Sequence, residues 1–132
     1  HGTPKIEGVS DGHHPLSHHG QDPERIAQLK IIEAQILKCL SEFLDGMKQP
    51  TENGSDLLDY TTVLFGSNLG NANAHDPRNL PVILAGGGFN HGRFVQHNNK
   101  NNVPLCNLFL ALLRAMDIQA DRFGSSTGAL DI

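Results

Sequence analysis

The chain has 132 residues, 38% of them hydrophobic and 5% aromatic, with a formal net charge of −4. That is material for one domain, or part of a larger one, with a modest core. There is no basic patch and no interleaving of aromatic with basic residues, which argues against a nucleic-acid partner. No apolar run approaches the ~18–20 residues of a membrane span.

Residues 1–12 are polar and rich in Gly and Pro, the composition of a loop. The chain opens on a histidine, and its first twenty residues carry no helical or strand period. It therefore reads as part of a longer protein, from which an N-terminal targeting segment would be missing. Next comes His13-His14-Pro15-Leu16-Ser17-His18-His19, which holds four of the eight histidines. Pro15 argues against a helix here, so ligands are expected to converge from a loop rather than from a helical i, i+4 pair.

A helix is expected over residues 22–47. Asp22 suits the N-cap, Pro23 the first helical position, and Glu24 the positive end of the dipole. Leu29, Ile32, Ile36, Leu40, Phe43 and Met47 recur at three- and four-residue steps and form an apolar stripe. This helix is expected to cover a sheet and to anchor the histidine loop. A polar loop at 49–55 and a short helical turn or extended connector at 56–60 follow. Residues 61–66 and 80–85 are short apolar runs rich in β-branched residues and read as buried strands. Gly86, Gly87 and Gly88 close the second as a tight strand exit, and residues 92–96 suit a third strand. A second helix is expected over 104–116, with Leu105, Leu108, Leu112 and Met116 on its apolar face. The tail at 123–128 reads as loop, with Ser125-Ser126-Thr127 a capped turn or tail contact.

Apolar strands among helices suggest a layered α/β/α fold with both sheet faces covered. Domain organisation follows: one domain or a C-terminal fragment of a larger one, with a His-rich loop at 1–21 and an α/β portion at 22–132. Functional loops in such sheets gather at the carboxyl ends of the strands. That would bring the loop holding His75 and Asp76, and the loop holding Gly86–Gly88 and His91, to the edge shared with the histidine tract. Cys39 and Cys106 both fall in expected helices and fit no zinc spacing, so they read as buried thiols, with a disulfide between packed helices left open.

Histidine is the commonest metal ligand and titrates near neutral pH. A cluster of this density suits zinc, copper, nickel or non-haem iron. Neighbouring residues of an extended chain point apart, so one or two of the four would ligate and the rest would act as supporting or acid–base groups. Asp11, Asp22 and Asp76 are the candidate carboxylates. Ser17 beside histidines invites a nucleophile reading, but no G-x-S-x-G elbow surrounds it, and a hydroxyl that orients a ring or turns the loop is the plainer role. His75-Asp76 serves equally as a ligand pair or as a surface turn before Pro77. His91 and His97 lie in polar loops and read as solvated.

The run His14-Pro15-Leu16-Ser17-His18-His19 resembles the motif of the HXXSHH family, a bacterial family of unknown function. Leu57-Leu58-Asp59, His75-Asp76, the stretch from Asn79 through Gly88 and Phe123-Gly124-Ser125-Ser126-Thr127-Gly128 look like its C-terminal portion. The resemblance implies an exported protein in a periplasmic or cell-surface setting. More distantly, the order of elements is similar to the alkaline phosphatase-like and sulfatase-like superfamily. This likeness implies a metal site on His14, His18, His75 and Asp76, with His18 or His19 as the catalytic acid. The metal would be divalent, zinc foremost. It also implies hydrolysis of a small anionic phosphate or sulfate ester, and the remainder of a parent chain as a partner. Asn68-Leu69 stands where that superfamily carries an Asp-His ligand pair, and the half bearing its nucleophile is not in this sequence. The alternative is a non-catalytic module that binds a protein partner on a degraded enzyme fold. A copper or electron-transfer accessory is a third reading.

Overall fold

A computed structural model describes residues 2–50 and 53–132, in two units that divide between Gly87 and Gly88. Residue 1 of the opening loop and residues 51 and 52 of the loop at 49–55 lie outside the described residues. The described residues form three α-helices and a two-stranded antiparallel sheet, a small mixed α/β arrangement.

The first unit begins with a correction. The histidine tract is not a loop: His13–Ser17 is a short helix, α1, with Gly12 at its N-cap and His18 at its C-cap. Pro15 is its third residue. The first turn of a helix has N–H groups without intrahelical acceptors, so a proline there forfeits no bond. Leu16 is the buried residue of α1, at 1% exposure.

Helix α2 follows over Pro23–Met47, as the capping residues predict. Asp22 accepts hydrogen bonds from the backbone N–H groups of Glu24 and Arg25, and Pro23 opens the helix. At 1.5 Å per residue its 25 residues reach roughly 37 Å. It packs against α1 and against a 3-10 turn at Leu57–Tyr60. The segment before α1 also lies along it. Ser10 donates to the Gln28 side chain from both backbone and hydroxyl, and Gly8 fits against the Ile31 methyl. Of the expected stripe, Ile32 and Met47 are buried, while Ile36 and Phe43 are exposed. The anchoring of the histidine segment is as expected; a sheet beneath α2 is not what its main packing partners supply.

Strands β1 (Thr62–Gly66) and β2 (Val82–Gly86) pair antiparallel, with Thr62 opposite Gly86 and Gly66 opposite Val82. Antiparallel pairing means that the loops after the two strands do not share one edge, as was expected of the His75 and His91 loops, because the chain leaves the strands at opposite ends. Only the long connection at 67–81 runs from β1 into β2, and it carries His75. The strands are also less enclosed than their apolar runs suggest. Leu64 and Ile83 belong to adjacent pairs, so they point to opposite faces, and they are 38% and 42% exposed. A layered sheet with both faces covered is not what these residues form. At the end of β2, Gly86 is buried at φ +72, and a Cβ there would run into the carbonyl oxygens of Thr61 and Leu58. Only glycine meets both demands without strain. Gly87 then donates to the Leu58 carbonyl at 3.0 Å and locks the strand exit to the 3-10 turn.

The second unit is organised by α3, Cys106–Ala115. Leu108, Leu110, Ala111 and Leu112 are buried, while Met116 lies past the last turn and is exposed. Asn107 is buried at 5% exposure, and it is satisfied. Its carboxamide donates to the Thr127 hydroxyl and accepts from the Thr127 backbone, while its own carbonyl takes Leu130 N–H. A buried amide left without partners would be costly, so these bonds hold the tail on α3. Phe123 packs edge-on to Phe109 with ring centroids 5.7 Å apart, and the Ser126 hydroxyl caps Phe123 N–H. The capped-turn reading of the tail therefore stands. The third strand at 92–96 does not form; Phe94 there is 88% exposed, and among the described residues no strand pairs with it. Both cysteines are free thiols, and Cys39 is exposed rather than buried.

Candidate metal centre

The helical turn at α1 has a direct chemical consequence. Residues four apart on a helix share a face. His14 and the C-cap His18 therefore meet, with ring centroids 4.8 Å apart at an interplanar angle of 75°. The pair excluded by reading Pro15 as a helix breaker is present.

His75 reaches the same place from the β1–β2 connection. Gly70 and Asn71 donate to the Asp76 carbonyl, Asp76 donates back to Asn71, and the Asn71 side chain takes Ala74 N–H. This closed turn holds His75 at φ +51, a left-handed conformation that costs a non-glycine residue about 1 kcal/mol or more. The ring is thereby set against His18, centroid to centroid 4.8 Å at 60°. A second bond joins the two segments: Gly20 N–H donates to Asn73 Oδ1 at 2.8 Å.

His18 is thus the middle ring of three. Desolvation of its ring, then the nearby His14, His75 and His19, hold its pKa below the ordinary histidine value. The neutral form is favoured, and that is the form that ligates. Its carbonyl accepts from the Arg25 guanidinium at 3.3 Å. His19 turns to other work: its Nδ1 accepts Gln21 N–H at 3.1 Å, which leaves Nε2 as the protonated nitrogen of the neutral ring. His13 is exposed at the start of α1.

The candidate carboxylates are engaged elsewhere. Asp11 accepts from Gly12 N–H, and Asp22 caps α2. Asp76 holds Arg78 through both oxygens at 2.8 Å, a bidentate pair, and also takes Arg78 N–H. The Arg78 side chain, then its backbone N–H, lowers the Asp76 pKa from 3.8 to about 2. The Ser17 hydroxyl donates to the His14 carbonyl at 2.8 Å, a helical back-bond rather than a nucleophile paired with a base.

A depressed carboxylate pKa favours the fold above the unfolded value and ceases to do so as pH falls through the folded one. The Asp76–Arg78 contribution is accordingly whole above pH 3.8 and lost on descent through about pH 2. In an NMR titration the Asp76 carboxyl carbon is expected to turn over near pH 2, and in Arg78→Gln to move back toward 3.8. An unchanged midpoint in the variant would refute the pairing.

Among the described residues no set of three or more His, Cys, Asp or Glu side chains is already arranged to grip an ion. The donor types and ring spacing nevertheless suit one. Imidazoles bonded at ~2.0–2.1 Å to a shared tetrahedral ion have ring centres roughly 5 Å apart. His14 and His75 are exposed, and His18 is half-buried. Asn73, Arg25 and Arg78 also belong to the site, and no motif marks them in the sequence. The asparagine-rich composition of 68–73 was the only local signal, and it does not say which asparagine reaches another segment.

Comparison with family models, with curated proteins and with solved structures yielded no match.

Proposed function

We propose that this chain binds one divalent metal ion, zinc foremost, through His14, His18 and His75, and contributes to hydrolysis of a small phosphate or sulfate ester. The observation that carries the reading is the position of His18, whose ring meets both His14 and His75 at 4.8 Å. Three neutral imidazoles leave the charge of a divalent ion uncompensated. With Asp11, Asp22 and Asp76 bonded elsewhere, the site favours an anionic ligand. A bound zinc ion would stabilise developing charge on the ester and favour an oxygen nucleophile. His18 belongs to the ligand set. His19 is the acid–base candidate on the family resemblance; Gln21 N–H on Nδ1 orients its ring so that Nε2–H can donate a hydrogen bond to the leaving oxygen of the ester.

The resemblance to the HXXSHH family and to alkaline phosphatase-like proteins supports an exported, periplasmic or cell-surface setting. On that reading the β1–β2 hairpin is part of a larger layered α/β/α sheet completed by the remainder of a parent chain. Its apolar strands, exposed on both faces, agree with this. A non-catalytic binding module is the second reading, favoured by Asn68-Leu69 at the position of an expected ligand pair.

The test is elemental analysis and calorimetric titration of tag-free protein with zinc, followed by assay of the loaded protein on aryl phosphate and aryl sulfate. One zinc ion per chain, a raised melting temperature and turnover are expected. No zinc uptake and no stabilisation would overturn the metal site. Uptake without turnover of either ester would leave the binding module as the function.

A further inference from the structure

We infer that Asn73 is the positioning residue that assembles the histidine centre. This rests on the metal reading for its functional meaning, but the geometry is independent of any ion. His75 lies in a turn closed upon itself by the Asn71–Asp76 bonds, and that closure alone says nothing about where the turn docks. The docking bond is Gly20 N–H to Asn73 Oδ1 at 2.8 Å, between residues 53 apart in the chain. Two residues further along the turn and two residues back along the tract, His75 meets His18. The two contacts form a short ladder of opposite direction, with a hydrogen bond on one rung and a ring pair on the next.

The pairing is specific at both ends. Gly20 has φ +59 and is followed by Gln21 at φ +67, so the chain turns sharply after His19 and presents the Gly20 N–H outward from the tract. Asn73 is half-buried, and Asn71 uses its own carboxamide inside the turn, on Ala74 N–H. The division of labour is clear: Asn71 shapes the turn and Asn73 places it. Outer residues that orient metal ligands typically govern affinity by 10–100-fold. Losing the Asn73 acceptor leaves His75 to find His18 without a guide, and the two-histidine face of α1 then stands alone.

The experiment compares the parent chain with Asn73→Ala and Asn73→Asp, the second of which keeps an oxygen at the accepting position. Three readouts are taken: nuclear Overhauser contacts between the His18 and His75 rings in metal-free protein, zinc affinity by calorimetry, and the far-UV circular dichroism melt. In Asn73→Ala the ring contacts are expected to vanish and zinc affinity to fall about tenfold or more, with the helical signal retained. In Asn73→Asp the ring contacts are expected to persist. Persistence of the contacts in Asn73→Ala, or their loss in a folded Asn73→Asp, would overturn the inference. Should Asn73→Ala fail to fold, the Gly20 amide of the parent chain decides: slow hydrogen exchange supports the bond and exchange at the rate of an open loop refutes it. If the parent takes up no zinc while the ring contacts follow the acceptor as stated, the metal reading falls and the positioning role of Asn73 stands.

Discussion

Leu16→Ala is expected to cost about 3 kcal/mol of stability and to dismantle the site without touching a histidine. Leu16 is 1% exposed and is the buried side chain of α1. Truncating a fully buried leucine to alanine typically removes 2–5 kcal/mol, the transfer term plus the cavity left behind. A five-residue helix has no intrinsic stability in water, so α1 persists because it packs on α2. Without the leucine the turn loses its seat, and His14 and His18 lose the helical spacing that brings them together. Urea unfolding should show the loss, and the His14–His18 ring contact should disappear from nuclear Overhauser spectra before the global transition. A cost below about 1 kcal/mol, with the ring contact intact, would show that the tract is held by something else.

His18→Ala is expected to weaken zinc binding by about 100-fold or more, beyond the range typical of residues that merely orient ligands. The His18 ring meets both His14 and His75 at 4.8 Å, so its removal takes away the ring that joins them. The same substitution is expected to leave stability nearly unchanged in the absence of metal, since the ring is only half-buried and lies past the last residue of the helix. His97→Ala, in the other unit, serves as the comparison and should bind as the parent does. Equal zinc affinity in parent, His18→Ala and His97→Ala would place the ion away from the cluster.

Much of the local structure was legible from residue types. Asp22-Pro23-Glu24 announces α2 because a cap is built from groups within three residues of one another. The apolar runs locate both strands of the hairpin, and Phe123 with Ser126 closes a turn whose partners are three residues apart. The errors fall where a local rule competed with its position or with distant packing. Pro15 breaks a helix in its interior but not in its first turn, and the start of α1 depends on where Leu16 is buried. The strands read as covered because they are apolar on both faces, although α2 packs mainly on α1 and the 3-10 turn. Residues 92–96 have strand-forming side chains but no ladder to join.

For the site, the sequence by itself determined the chemistry on offer: a dense set of imidazoles, a further histidine on a distant turn, and a capped helix to carry the tract. Tertiary structure decided which of them act together. It withdrew Asp76 to Arg78, turned His19 toward Gln21, and brought His75 to His18 across a separation that no local pattern encodes. The physical reason is range. Caps, turns and the i, i+4 spacing are settled within a few residues of chain, whereas the meeting of the three rings requires closure of a loop of more than fifty residues. That closure rests on burial of Leu16 and on a hydrogen bond from Gly20 to Asn73.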